Sequence, residues 1–206
     1  DVLSEPMLRL AGERINPERN AARRTFYYDG IAIQPTDGGP KVEIDLGGRK
    51  VVDLRWSPNS QHLAFLSPAP TGMELWLADV TLGQARRLGD LHVNDTLDGA
   101  VEWMPDSKSL VVRTIPSPRA VAPVAPPTPS GPVITETTGR EATNRTYQDL
   151  LTNRVDEAQF EHFFTSQLVR IDLEGKATPM GKPGIYSEHD ASPDGKWLLV
   201  SALEGP

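Results

Sequence analysis

The sequence predicts an all-β fold, a fragment of a β-propeller built from four-stranded antiparallel blades, and three observations lead to this prediction. Short runs rich in β-branched and aromatic residues alternate with turn clusters along most of the chain. The turn Trp56-Ser-Pro-Asn-Ser, followed by an apolar strand, recurs at Trp103 and, with a small residue in place of tryptophan, at Ala191. The first two copies are 47 residues apart, which is close to the period of a propeller blade.

The most complete unit lies between Val51 and Asp90. Its predicted strands are residues 51–56, 62–67, 73–80 and 85–88, separated by turn clusters that contain proline, asparagine, serine and glycine. Consecutive short strands joined by tight turns form an antiparallel meander. Because one such sheet buries too little apolar surface to be stable alone, it needs similar sheets stacked against its faces. A plain antiparallel sandwich is the alternative, but three turns of the same type favour the propeller.

The repeats divide the chain into blade sectors at about residues 25–48, 51–90, 99–182 and 185–206. We expect the first sector to supply only the two outer strands of a blade and the last sector to be truncated within a strand. The 24 residues before these sectors are polar and basic, and Pro6, Gly12 and Pro17 interrupt any long element. Four arginines in this segment are predicted to be solvated surface, namely Arg14, Arg19, Arg23 and Arg24.

A long insertion, residues 116–164, interrupts the third sector between its second and third strands. Seven prolines between Pro116 and Pro132 favour an extended course without a core of its own. Two short helices are predicted after it, capped by Thr146 and Asp156, and the apolar face of the second contains Phe160, Phe163 and Phe164. We expect these aromatic residues to clamp the helices onto the blade edge. The insertion would then project from one rim, where connecting segments usually contact partners.

Composition and motifs exclude several classes of function. The net charge of −7 argues against nucleic acid or an anionic membrane as the main partner, and no apolar run approaches the roughly 20 residues of a membrane helix. The absence of cysteine removes thiolate metal sites and cysteine nucleophiles. The four histidines are dispersed, so we expect no metal site, and no cofactor motif occurs. The compartment stays open between the periplasm or exterior and the cytoplasm.

Several segments carry a family resemblance that covers nearly the whole chain. They are Arg9-Leu-Ala-Gly-Glu-Arg-Ile-Asn-Pro, Phe26-Tyr-Tyr-Asp-Gly-Ile-Ala-Ile, Thr114-Ile-Pro-Ser-Pro-Arg and Arg145-Thr-Tyr-Gln-Asp-Leu-Leu. These segments resemble the N-terminal propeller of the glutamyl endopeptidase branch of the prolyl oligopeptidase family. The resemblance implies a serine peptidase that cleaves peptides after glutamate. It also implies a C-terminal α/β-hydrolase domain in the same chain, which carries the Ser-Asp-His triad.

The residues shown here contain no Gly-x-Ser-x-Gly nucleophile elbow, so the hydrolase domain is absent and this segment carries no catalytic residues of its own. The expected function is therefore gating and recognition of peptide substrates for a catalytic domain downstream. The competing interpretation is a stand-alone propeller similar to the TolB-like modules, which bind other proteins. A rim insertion favours the peptidase, because TolB-like blades are usually compact.

Recognition of a glutamate side chain inside a cavity requires a cation, and the planar fork of arginine matches a carboxylate. The predicted substrate-binding residues are Arg113 and Arg119, which flank the Thr114–Pro118 turn at the base of the insertion, with Arg145 behind them. Two alternatives stay open at this point. These arginines could instead pair with local acids or solvent, and the specificity cation could lie in the hydrolase domain.

Overall fold

The computed structural model describes residues 5–124 and 149–204 of the chain. Fourteen strands and one helix occur in these ranges, and every strand pair within a sheet is antiparallel. The first five strands are β1 Leu8–Leu10, β2 Glu13–Asn16, β3 Ala21–Ala22, β4 Ile31–Ile33 and β5 Val42–Ile44. The next four are β6 Val52–Trp56, β7 His62–Ala69, β8 Gly72–Asp79 and β9 Gln84–Arg87. The remaining elements are β10 Val101–Trp103, β11 Ser109–Thr114, α1 Arg154–Phe164, β12 Thr165–Asp172, β13 Ala177–Ala191 and β14 Leu198–Leu203.

The predicted meander between Val51 and Asp90 is confirmed as a four-stranded sheet in the order β6-β7-β8-β9. Each strand begins and ends within two residues of the predicted bounds. The tight turn before β7 forms because the Asn59 carboxamide oxygen accepts from the backbone N–H of Gln61 and Ser60 takes a φ of 60°. The equivalent turn before β11 repeats both features at Asp106 and Ser107.

Both faces of the β6–β9 sheet are buried, which distinguishes a propeller sector from one layer of a sandwich. Alternate residues of a strand point to opposite faces. One set packs against β10–β12, and its members are Ala64, Leu66, Leu75 and Leu77, which meet Val101, Leu110, Val112 and Ile171. The other set packs against β4 and β5, and its members are Leu63, Phe65, Trp76 and Ala78, which meet Ile31 and Ile44. The sheets are therefore stacked face to face in succession, as the all-β propeller prediction requires.

The next sheet contains five strands in the order β10-β11-β12-β13-β14. Its fifteen-residue strand β13 serves two sets of neighbours. Residues from Ala177 to Ile185 pair with β12, with a register shift after Met180, and residues from Ile185 to Ala191 pair with β14. The third copy of the turn, at Ala191, lies between β13 and β14 as the repeat predicts.

The insertion leaves the sheet after β11 and returns at β12, so its predicted position between the second and third strands of its sector is confirmed. Of the two predicted helices, the second is present as α1. The predicted cap was wrong by three residues, because the Asn153 side chain accepts from the N–H groups of Val155 and Asp156. Thr146, the other predicted cap, lies outside the described residues. Leu150 and Leu151, at the end of that predicted helix, are not helical.

Residues 8–22 contain a small sheet, β1-β2-β3, that the sequence patterns did not reveal. The prediction of solvated arginines was wrong for Arg19 and Arg24. Arg24 forms an ion pair with Asp95, whose side chain is 1% exposed, and Arg19 forms one with Glu5 at 2.7 Å. Burial raises the pKa of Asp95 to about 6, although the Arg24 charge acts in the opposite direction. The Arg24–Asp95 pair attaches the N-terminal segment to the connection before β10, and the Arg19–Glu5 pair lies within that segment.

Candidate substrate-binding site

The base of the insertion is held at the C-terminal end of α1. The last carbonyl groups of a helix have no partner within the helix, so they accept hydrogen bonds from elsewhere. Here the Phe163 carbonyl accepts from the Asn20 side-chain amide at 2.9 Å and from that of Asn94 at 3.0 Å. The His162 carbonyl accepts from Arg119. Three separate chain segments therefore converge on one helix end.

Arg113 is buried where β11 crosses the neighbouring chain segments. Its side chain is among the largest that are fully buried, and the residue is 2% exposed. One guanidinium nitrogen donates to the carbonyls of Tyr186 and Ser187, at 2.5 and 3.1 Å, and the other to those of Leu97 and Asp98, at 2.5 and 2.6 Å. Burial lowers the pKa of Arg113. These contacts fix the connection before β10 to the middle of β13, and the substrate-binding role predicted for Arg113 stays a prediction.

Arg119 differs from Arg113 because it is only half-buried and faces open space. Its Nη1 donates to the Asn20 carboxamide oxygen at 2.8 Å, its Nη2 donates to the His162 carbonyl, and its guanidinium lies 5.5 Å from the centre of the Phe163 ring. All three contacts are to uncharged groups. Within residues 5–124 and 149–204, no carboxylate forms an ion pair with Arg119. Burial without such a partner lowers the pKa of Arg119 to about 10, so the side chain remains a cation at neutral pH.

Two clefts meet at Arg119. The larger has a volume of about 690 Å³, and its lining includes Leu91, Ile115, Val169 and Pro179. The smaller, of about 470 Å³, lies between the Pro116–Pro123 segment and α1, and its lining includes Ala158 and His162. Both lie beside the base of the insertion, and both have mainly apolar walls that also include acidic side chains, Glu18 and Asp90 in the larger cleft and Glu161 in the smaller. A cation between two such clefts, held by neutral groups, can accept a carboxylate from a ligand that occupies either cleft.

The remaining predictions concern Arg145, the histidines, metal binding and membrane-spanning helices. Arg145, the third predicted binding residue, lies outside the described residues. His189 is 8% exposed and its Nε2 lies 3.2 Å from the Val111 carbonyl, so it belongs to the core of the sheet. In the described part of the chain, no group of three or more metal-binding side chains occurs. No helix among the described residues has the length and apolar character needed to cross a membrane.

Sequence reasoning missed two asparagines at the helix end, Asn20, which also contacts Arg119, and Asn94, which does not. Asn94 is 2% exposed, and its side-chain amide donates to the carbonyls of Phe163 and Thr165. Asn20 is also 2% exposed and adopts a φ of 50°, a left-handed conformation that asparagine tolerates better than most residues. In the sequence, an asparagine among turn residues gives no indication of a contact with a residue 143 positions away.

Comparison with known proteins identifies the family. The chain is similar to the probable chloroplastic glutamyl endopeptidase of Oryza sativa subsp. japonica, with 35% identity over 220 residues that cover 99% of this chain and 23% of the relative. The corresponding protein of Arabidopsis thaliana is 36% identical over 222 residues, with the same coverage of both chains. Over almost its whole length the chain is therefore similar to one part of the glutamyl endopeptidases of the prolyl oligopeptidase family. No protein-family model matches it.

The chain corresponds to the N-terminal propeller region of this family and spans about a quarter of the relatives' length. Among solved structures it is similar to an acylaminoacyl peptidase in complex with Z-Gly-Gly-Phe-chloromethyl ketone, with 16% identity and a TM-score of 0.43 over 84% of this chain and 23% of that one. TolB from Acinetobacter baumannii gives 18% identity and a TM-score of 0.33, over 94% of this chain and 45% of that one. Both TM-scores are below 0.5, and the family assignment rests on the sequence relatives.

Proposed function

We propose that this chain is the substrate-selecting and gating propeller of a serine peptidase with specificity for glutamyl peptides, and that Arg119 binds the substrate carboxylate. The observation that carries the proposal is the half-buried Arg119 cation between two clefts, with uncharged partners among the described residues. The names of the two plant relatives supply the expected substrate class.

The chemistry of Arg119 suits a glutamate side chain. A carboxylate that leaves water must be compensated by charge-assisted hydrogen bonds, and the guanidinium fork can offer two parallel N–H donors. The Phe163 ring and the His162 carbonyl restrain the guanidinium, so little side-chain entropy is lost when a ligand binds. Because the pKa of Arg119 is about 10 and that of a free glutamate is about 4.3, both groups are charged around neutral pH.

The architecture of stacked sheets supports the proposed gating role. In this proposal the sectors at about 25–48, 51–90, 99–182 and 185–206 are consecutive parts of a ring. The ring lies over a catalytic α/β-hydrolase domain elsewhere in the same protein and excludes large folded substrates. The insertion, 116–164, then lies on the rim and presents Arg119 to peptides that enter.

The test is the Arg119→Met substitution in the full-length protein, assayed with two peptides that differ only by glutamate or glutamine at the cleaved position. Hydrogen bonds to a charged group contribute about 1.5 to 3 kcal/mol, so we expect kcat/KM for the glutamyl peptide to fall about 10- to 150-fold. The value for the glutaminyl peptide should change by less than about threefold, because that peptide brings no charge to the site.

The matched control is Arg86→Met, because Arg86 also donates to a backbone carbonyl, that of Leu173, and lies outside both clefts. The Arg86→Met variant should leave kcat/KM for both peptides unchanged. An equal loss on both peptides in Arg119→Met would remove Arg119 from recognition and overturn the proposal.

A further inference from the structure

The N-terminal segment contributes Asn20 to the candidate site. Both the oxygen and the nitrogen of the Asn20 side-chain amide form hydrogen bonds there. The Asn20 carboxamide oxygen accepts from Arg119 Nη1 at 2.8 Å, and its amide nitrogen donates to the Phe163 carbonyl at 2.9 Å. The Asn20 backbone carbonyl also accepts from the N–H of Asp95, at 3.1 Å. Because the Phe163 carbonyl can only accept, the Asn20 amide nitrogen faces it, and the amide oxygen therefore faces Arg119.

The neighbouring arginines Arg19 and Arg24 of the N-terminal segment differ from Arg119 because each has a carboxylate partner. Arg24 is neutralised by Asp95, and Arg19 by Glu5, each through an ion pair. Arg119 instead receives a neutral carboxamide from the same segment. An aspartate at position 20 would have nearly the same shape and could accept the same hydrogen bond, but it would pair with the guanidinium and cancel its charge.

We infer that Asn20 is a specificity-determining residue, which positions the Arg119 guanidinium while leaving its charge available to a substrate carboxylate. The inference rests on the proposed function, because it concerns the same cation. It assigns part of the substrate site to the N-terminal segment, 99 residues before Arg119 in sequence. The oxygen of Asn20 restrains the fork without competing electrostatically with a ligand.

The test is Asn20→Asp in the full-length protein, measured as the ratio of kcat/KM for the glutamyl and glutaminyl peptides. Because the new carboxylate would occupy the Arg119 cation, we expect this ratio to fall at least tenfold, to about the ratio of Arg119→Met. A ratio within about twofold of the unsubstituted protein would overturn the inference.

The chain offers a closely matched control in Asn94→Asp. Asn94 donates to the same Phe163 carbonyl at 3.0 Å but does not contact Arg119, so this variant loses the same donor and gains the same charge without touching the cation. Its ratio should remain within about twofold of the unsubstituted protein. A tenfold fall in Asn94→Asp as well would show that the helix end, and not the charge of Arg119, controls the preference.

A second variant covers the case in which Asn20→Asp does not fold, as judged by circular dichroism. Asn20→Gly suits the φ of 50° and removes the contact with Arg119 without adding charge. We expect KM for the glutamyl peptide to rise at least threefold with kcat little changed, since the cation is less restrained. An unchanged KM would refute the positioning role.

Failure of this inference can be told apart from failure of the proposed function. If Arg119→Met loses the glutamyl preference but the Asn20 variants keep it, only the role of Asn20 is wrong. If Arg119→Met weakens both peptides equally, the proposed function fails and the inference fails with it.

Discussion

Two neighbouring sheets of the molecule have the same register but different connections. In the β6–β9 sheet, Trp56 pairs with Leu63, and 47 residues later Trp103 pairs with Leu110 in the next sheet. The second and third strands of the first sheet are joined by a tight turn in which Ala69 faces Gly72. In the second sheet the same two strands are separated by the long insertion. The repeat therefore specifies the strands, while the connection is free to vary.

The two sheets also differ in the side chain at one pair of equivalent positions, 66 and 113. Leu66 on β7 is fully buried among apolar residues, and Arg113, 47 residues later on β11, is buried among backbone carbonyls. Four carbonyls from the regions around Leu97 and Tyr186 face this position. An arginine suits it because its two terminal guanidinium nitrogens donate to all four of them. The interrupted sheet is thus stabilised by polar contacts where the regular sheet uses apolar packing.

The largest expected effect on stability comes from replacing Arg113 and Leu66 in turn with methionine. Arg113→Met should lower the free energy of unfolding by about 3 kcal/mol or more, because it removes four hydrogen bonds to buried carbonyls. Leu66→Met conserves volume and should cost less than about 1.5 kcal/mol. Urea unfolding followed by tryptophan fluorescence measures both. Similar losses in the two variants would show that the Arg113 contacts are not a stabilising feature of the interrupted sheet.

A smaller effect distinguishes the two turns that precede β7 and β11. Ser60 and Ser107 both have a positive φ, at 60° and 58°, and glycine occupies the same place in the third copy at Gly195. The Ser107 hydroxyl accepts from the Asn59 N–H of the preceding turn at 3.0 Å, and the exposed Ser60 side chain makes no such contact among the described residues. Ser60→Gly should therefore stabilise the fold by about 0.5 to 1 kcal/mol, since glycine adopts this conformation freely.

Ser107→Gly should gain the same backbone relief but lose the hydrogen bond between turns, so its net effect should lie near zero or be destabilising by up to about 1 kcal/mol. Thermal unfolding of the two variants, compared at the same pH and scan rate, measures the difference. If both glycine variants gain equally, the contact between successive turns contributes nothing.

Sequence reasoning predicted the regular part of this fold well, because alternation and turn residues act locally. The strands around Leu63 and Leu75 and the place of the insertion followed from the repeat. The short strands β1 to β3 did not, because two to four residues carry too little periodicity. They are held by long-range contacts, such as the bond between Ala22 N–H and the Asp95 carbonyl.

The candidate site was predictable only in part. The need for a cation and the Thr114–Pro118 turn indicated Arg113 and Arg119 but could not tell a buried arginine from one that faces a cleft. That distinction depends on β13 and on the helix end, which lie far away in sequence. Asn20 could not be found, because its role arises from the meeting of three segments.

The most direct measurement of the central claim is hydrogen–deuterium exchange of the full-length protein with and without a product peptide that ends in glutamate. The account predicts slower exchange at residues 17–20, 114–119 and 162–165, and no change in the β6–β9 sheet. A matched peptide that ends in glutamine should produce a much weaker effect. Equal protection by the two peptides, or protection in the β6–β9 sheet and not around Arg119, would contradict the account.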